Sequence, residues 1–157
     1  MNKKVFQILV DNTSGVLSRI SGLFSRRGYS IETITVGVTA DPRFSRITIV
    51  AYGDDDVLDQ IEKQVNKLED VRSIKELKPE ESVYRELAMI KIRVTPAERQ
   101  GAISMADVFR AKVIDVASDC LTFEITGNHE KINAVIKLLS GYEIMVLART
   151  GIAGLGR

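Results

Sequence analysis

Five residues separate two incompatible periodicities near the start of this chain, and that junction limits the folds open to it. Val5-Phe6-Gln7-Ile8-Leu9-Val10 is an apolar, strand-like run; Val16, Leu17, Ile20, Leu23 and Phe24 then recur at the spacing of a helix with one buried face. Gly28 stands where a left-handed residue ordinarily stops a helix. Tyr29–Thr39 follows as a strand in which Ile31, Thr33, Thr35 and Gly37 alternate with Glu32, Ile34, Val36 and Val38. Ala40-Asp41-Pro42-Arg43 is a turn, and Ser45–Tyr52 returns as the antiparallel partner of the strand before it.

The same grammar completes one unit and starts another. Gly53-Asp54-Asp55-Asp56 opens a second helix with carboxylates at its positive end, and Val57, Leu58, Ile61, Val65 and Leu68 form its buried stripe. Val71–Leu77 reads as an edge-like strand, giving the order βαββαβ, the ferredoxin-like arrangement. Lys78-Pro79-Glu80-Glu81-Ser82 is the best linker in the chain. Beyond it come a strand over Val83–Val94, a helix over Pro96–Arg110, strands over Lys112–Ala117 and Leu121–Thr126, a helix over Asn128–Leu139 and a strand over Glu143–Ala148. The fold class is therefore α+β, two ferredoxin-like βαββαβ domains, with 1–78 and 84–157 joined by a linker at 79–83. Arg149–Arg157, with three glycines and no apolar period, reads as a flexible tail.

The start of the first helix carries the most chemistry. Asn12, Thr13 and Ser14 are all capping types, and Gly15 has no side chain, so the first free N–H groups lie open to a visitor. Those groups and the positive helix end favour a carboxylate. Asn12 adds an amide that both donates and accepts, which suits a zwitterion such as an amino acid.

Composition excludes several function classes. Lys+Arg 22 against Asp+Glu 21 gives a net charge of +1, so no field of one sign invites nucleic acid or an anionic membrane. An RNA-binding version of the same fold needs stacking aromatics on its inner strands, and Ser45–Tyr52 supplies only Tyr52. The single cysteine, Cys120, lies in a strand-like run without a cationic neighbour and reads as a buried bystander. With no export signal or membrane span legible, the chain is expected in the cytoplasm. The only histidine, His129, reads as a solvated surface residue beside Glu130 and Lys131. No metal-ligand cluster, nucleophile elbow or phosphate loop is legible, so the expectation is a non-catalytic chain with no catalytic residue, no metal and no cofactor of its own.

The spaced run Asn12-x-x-Gly15-x-Leu17-x-Arg19-x-x-Gly22-Leu23-Phe24-x-x-Arg27-Gly28-Tyr29-x-Ile31-Glu32 resembles the signature of ACT domains. More narrowly it resembles the first domain of the small, regulatory subunits of acetolactate synthase (acetohydroxyacid synthase). The likeness continues through Asp41-Pro42-x-x-Ser45-Arg46-x-Thr48-Ile49 and Gln60–Leu68, and in the second unit through Phe109-Arg110-x-x-Val113-Ile114-Asp115-Val116 and Ala148-Arg149-Thr150-Gly151. The resemblance implies a homodimer that joins a separate catalytic subunit, activates it and confers feedback inhibition by valine in branched-chain amino-acid biosynthesis. Thiamine diphosphate, Mg²⁺ and FAD would reside on that large subunit. By matching position, Asn12 would hydrogen-bond the valine, Gly15 give backbone access, and Val16 and Leu17 present N–H groups. Ile34, Thr35, Val36 and Gly37 would come from the neighbouring subunit. Ser30 stands where the family commonly has Asn, so a shorter hydroxyl would reach less far. The alternative is a stand-alone ACT-domain sensor that regulates a different enzyme.

Overall fold

The computed structural model describes Met1–Arg157. The chain divides into two units: Met1–Val83 together with Ile152–Arg157, and Tyr84–Gly151.

The first unit runs β1 (Asn2–Asp11), α1 (Val16–Arg27), β2 (Ser30–Val38), β3 (Phe44–Gly53), α2 (Asp55–Val65) and β4 (Val71–Glu76). Its sheet has the order β2-β3-β1-β4 with antiparallel neighbours, so β1 is central and β2 and β4 are edges. Phe6, Ile8 and Val10 of β1 and Ile47, Ile49 and Ala51 of β3 are buried on one face. Against them pack Val16, Ile20, Leu23 and Phe24 of α1 and Leu58, Ile61 and Val65 of α2. Burial of each large side chain stabilises this core by about 1.5–3 kcal/mol. The two helical stripes follow the apolar spacing except at Leu17, which is 46% exposed, and at Leu68, which packs on the core from beyond the end of α2. Gly28 ends α1 at φ 67°, its N–H shared between the Phe24 and Ser25 carbonyls.

The second unit runs β5 (Ser82–Arg93, its first two residues still in the first unit), α3 (Arg99–Asp107), β6 (Lys112–Val116), β7 (Cys120–Gly127), α4 (His129–Leu139) and β8 (Glu143–Arg149), in the sheet order β6-β7-β5-β8. Ala88, Ile90, Ile92, Leu121, Phe123 and Ile125 face the helices and meet Ala102, Ala106, Ile132, Val135 and Leu139. Asn128 caps α4, its side-chain oxygen accepting the Lys131 N–H at 2.9 Å. Cys120 is free and buried.

Four local readings are corrected. The helix expected over Pro96–Arg110 is shorter, because Thr95 and Glu98 bond reciprocally, Thr95 N–H to Glu98 Oε1 at 3.0 Å and Glu98 N–H to Thr95 Oγ1 at 3.3 Å, and hold the entry as a turn. Strict alternation fails in β2, where the register shifts between Ile31 and Thr33; the bulge at Glu32 turns Ile31 onto the same face as Ile34 and Val36. The linker stretch contains one 3₁₀ turn, Pro79–Glu81, and β5 starts directly after it.

The largest difference concerns the final residues. Ala153–Gly156 forms a strand, β9, that pairs with β5, and Ile152–Arg157 belongs with the first unit. Gln7, only 3% exposed, donates from Nε2 to the Gly154 carbonyl at 2.6 Å, and the Arg157 N–H donates to the Glu81 carbonyl at 2.8 Å. Backbone pairing requires no apolar period, so a glycine-rich strand is silent to periodicity. Gln7→Met keeps the length of the side chain but orphans the Gly154 carbonyl. Urea unfolding of this variant is expected to show a loss of about 1–3 kcal/mol. A neutral result would mean that the final residues do not seat against β1.

Candidate functional site

The turn from β1 into α1 is held from three directions. The Asp11 N–H donates to the Asp70 carbonyl at 2.9 Å and the Asn12 N–H to the Arg43 carbonyl at 2.8 Å, so the chain leaves β1 clamped between the turns that precede β4 and β3. Asn12 Nδ2 donates to the Pro42 carbonyl at 3.1 Å, and Ser45 Oγ donates to Asn12 Oδ1 at 3.2 Å. One donor and one lone pair of the amide are thereby used, and its other donor and lone pair have no partner within the chain.

Gly15 occupies the N-cap position at φ 82°, and no side chain caps α1. Asn12, Thr13 and Ser14 are capping types that do not cap, because the left-handed residue reverses the chain after them and aims their side chains elsewhere. The first turn of α1 thus presents its N–H groups without an internal side-chain acceptor, at an end where Asn12 to Gly15 are all exposed. Val16 is buried and anchors the helix in the core, whereas Leu17 is 46% exposed.

Charges around this opening are balanced by pairs. Arg19 Nε donates to Asp70 Oδ2, and its Nη2 reaches the Ser14 carbonyl at 3.3 Å. A Cβ added to Gly15 would lie 2.9 Å from Arg19 Nη1, so the glycine also makes room for the guanidinium. Arg72 grips both oxygens of Asp11 at 2.7 and 3.0 Å, and that hydrogen-bonded carboxylate raises the Arg72 pKa. The two carboxylates nearest the helix mouth, Asp11 and Asp70, are therefore each neutralised by an arginine. An incoming anion meets the helix end rather than a negative rim.

Within one chain the structure brings together only part of the expected set. Asn12, Gly15, Val16 and Leu17 share the turn. Gly37 pairs with Arg46 and Val38 with Ser45, two strands from β1, or roughly 10 Å at ordinary strand spacing. Ser30 pairs with Tyr52, which pairs with Lys3, at the other end of the sheet. Ser30 and Gly37 are thus roughly 20 Å apart along β2, too far for one residue-sized ligand to touch both on the same strand. Ile34 is half-buried against the core, and Val36 and Val38 are 45% and 62% exposed along an unpaired edge. Periodicity missed Pro42, Ser45 and Arg19 as the frame of the turn, although all three fall within the residues that resemble the ACT family.

Elsewhere in this unit a polar depression of about 460 Å³ is lined by Lys4, Asp59, Glu62, Lys63, Asn66, Ile74 and Glu76. None of the expected ligand residues lines it. Lys4 bonds Asp59 at 3.0 Å and Glu76 at 3.4 Å, and the Asp59 hydrogen bond is the main cause of its raised pKa. His129 is exposed, as the sequence suggests, and its Nδ1 lies 3.3 Å from Arg149 Nη2 and 3.7 Å from Glu86 Oε2. Glu86, 4% exposed, is held by Arg149 at 2.6 and 3.0 Å. No helix is long and apolar enough to cross a membrane, and no group of three or more His, Cys, Asp and Glu converges on a metal position.

A βαββαβ unit with an uncapped, glycine-started α1 and an open β2 edge defines a domain of the ACT class, and residues 6–73 match the family described as the AHAS small subunit-like ACT domain. Residues 85–157 match the family described as the small subunit of acetolactate synthase. The chain is 46% identical over 154 residues to a probable acetolactate synthase small subunit of Methanothermobacter thermautotrophicus, covering 98% of this chain and 92% of that one. It is 40% identical to the acetolactate synthase isozyme 3 small subunit of Salmonella typhimurium, over 99% and 96% of the two chains. A crystal structure of the Thermotoga maritima acetolactate synthase small subunit superposes with a TM-score of 0.92 at 38% identity, covering 100% of this chain and 98% of that chain. The chain belongs to the family of acetolactate synthase small subunits.

Asn12 is positioned by a turn that is itself charge-clamped. Arg43 bonds both Asp41 carboxylate oxygens by its side chain, at 2.7–3.1 Å, and Asp41 Oδ1 by its N–H at 3.0 Å. These contacts, the side-chain bond first, hold the Asp41 carboxyl below its ordinary 3.8. A depressed carboxyl pKa stabilises the fold above the unfolded value and loses that contribution as pH falls through the folded value. Asp41→Asn is therefore expected to have a lower Tm than the parent near pH 7, with the gap closing below about pH 4. A gap that persists undiminished at pH 2.5 would show that the Asp41 charge is not what holds this turn.

Proposed function

We propose that this chain is the regulatory subunit of acetolactate synthase: it joins the catalytic large subunit, raises its activity and makes it sensitive to valine. The observation that carries the ligand reading is the open start of α1, where uncapped N–H groups, a half-satisfied Asn12 amide and arginine-neutralised carboxylates converge. An α-carboxylate suits the N–H groups, and the α-ammonium suits the remaining lone pair of Asn12. Thiamine diphosphate, Mg²⁺ and FAD then belong to the large subunit, and this chain has no catalytic role.

The second half of the site comes from another copy. The unpaired outer edge of β2, with Val36 and Val38 exposed, and the half-exposed Leu17 support edge-to-edge pairing into a homodimer. Antiparallel β2–β2 pairing sets Ser30 of one copy beside the Val38 end of the other, the end at which the Asn12 turn lies. Ser30 then serves the neighbour's site, while Ile34, Thr35, Val36 and Gly37 form the strand contact that aligns the two chains. Valine bound across this junction favours the dimer by mass action.

Reconstitution tests the proposal. The chain alone, supplied with thiamine diphosphate, Mg²⁺ and FAD, is expected to form no acetolactate from pyruvate; added to the large subunit it should raise turnover and confer valine inhibition. Asn12→Ala should shift the valine midpoint roughly tenfold upward, the loss expected for one charge-assisted hydrogen bond, with activation retained. Ser45→Ala, which releases only the Asn12 Oδ1 tether, should shift it less. An unchanged midpoint in Asn12→Ala would remove the turn as the valine site. Failure to alter the large subunit at all would favour a sensor acting on a different enzyme.

A further inference from the structure

The end of the chain is seated on the first unit by hydrogen bonds rather than by an apolar anchor. Gln7 points away from the core that Phe6 and Ile8 face, and Lys75 of β4 stands opposite it in the sheet. Across these two neighbours β9 lies with its glycines inward. The Gly154 carbonyl accepts from Gln7 Nε2 at 2.6 Å, and a Cβ on Gly156 would come within 3.2 Å of Lys75 Nζ. Gly154 is buried, while Leu155, the large residue between the two glycines, is 63% exposed. The Arg157 N–H donates to the Glu81 carbonyl at 2.8 Å and closes the contact. No side chain of β9 belongs to either hydrophobic core.

What precedes this strand is firmly held. Arg149 grips both oxygens of the buried Glu86 at 2.6 and 3.0 Å. The Thr150 N–H donates to the Leu87 carbonyl at 3.0 Å, and Thr150 Oγ1 accepts the Leu87 N–H at 3.1 Å. Gly151 follows at φ 84°, a left-handed conformation that glycine enters and leaves without steric cost. We propose that Ile152–Arg157 is a strap that swings about Gly151, opening the seat formed by Gln7, Lys75 and Glu81 while the rest of the first unit stays folded. Opening exchanges hydrogen bonds within the protein for hydrogen bonds to water and withdraws no large apolar side chain from a core, which separates it energetically from unfolding. The vacated seat offers a side-chain amide donor, an ammonium and a main-chain carbonyl. That set is complementary to the extended backbone of a glycine-bearing strand, and the strap is its resident occupant.

Native-state hydrogen exchange of the full chain, followed by NMR, tests the strap. The bonded amides of Ala153–Gly156, the Arg157 amide and the Gln7 Nε2 protons should share one protection factor to within about threefold. That factor should lie at least about tenfold below the one for Ile8 in the central strand and respond little to low urea. Gln7→Met removes the catch and should speed exchange of the strap amides roughly tenfold. Gly151→Ala strains the closed pivot and should do the same, with the Leu87 amide staying the slower by at least about tenfold. Protection that falls away step by step from Ala153 to Arg157 would show ordinary fraying of a chain end and overturn the strap, as would protection equal to that of Ile8. Strap exchange unaltered in Gln7→Met, or a Leu87 amide that opens together with Ala153–Gly156, would overturn it equally.

Discussion

The left-handed backbone at Gly15 is the constraint on which the first unit depends. It lets the chain leave the central strand, reverse within four residues and start α1 directly over the core, where Val16 and Ile20 are buried. A residue with a Cβ would pay for that φ in strain and would meet the Arg19 guanidinium as well. The same conformation prevents Asn12, Thr13 and Ser14 from capping the helix. Packing and the open helix end therefore share one cause: the geometry that docks α1 also leaves its first N–H groups without an internal side-chain acceptor.

Electrostatics around the turn follow a consistent logic. Two carboxylates lie close to the positive helix end, where unpaired they would repel an anionic ligand. Each is engaged by an arginine from a different element, Arg19 from α1 and Arg72 from β4, so neutralisation also ties the turn to its surroundings. These pairs are partly exposed, and their value lies in local charge balance and orientation more than in stability. Asn12 is likewise pinned by Pro42 and Ser45 before any ligand arrives, which lowers the ordering cost of binding.

Elements that bury a periodic face were legible in the sequence. The stripes of α1 and α2, the cap at Gly28, the hairpin of β2 and β3 and the recurrence of the whole pattern after Pro79 all follow from apolar spacing and turn residues. What escaped has a common physical character. The pairing of Ala153–Gly156 is a backbone interaction and its bond to Gln7 a side-chain amide to a carbonyl, neither with an apolar signature. The bulge at Glu32 changes which side chains share a face but leaves composition untouched. The reciprocal bonds of Thr95 and Glu98 shorten α3 through a turn that reads as helix. At the site, the turn residues were legible as a group and one strand over Tyr29–Thr39 already set Ser30 and Gly37 near its two ends, but the pinning of Asn12 by the Pro42 carbonyl and the Ser45 hydroxyl is a contact between distant turns that no local pattern carries.

The central claim is that each valine site is built from two chains, the turn of one and β2 of the other. Mixed dimers test it directly. Asn12→Ala removes the turn half, and Ser30→Trp obstructs the strand half; calorimetry should find valine binding strongly reduced in either homodimer. Refolded together, the two variants yield mixed dimers in which one site has both halves intact, and the account predicts recovered parental affinity at one site per mixed dimer. No recovery on mixing, or full binding by a chain held monomeric, would contradict it.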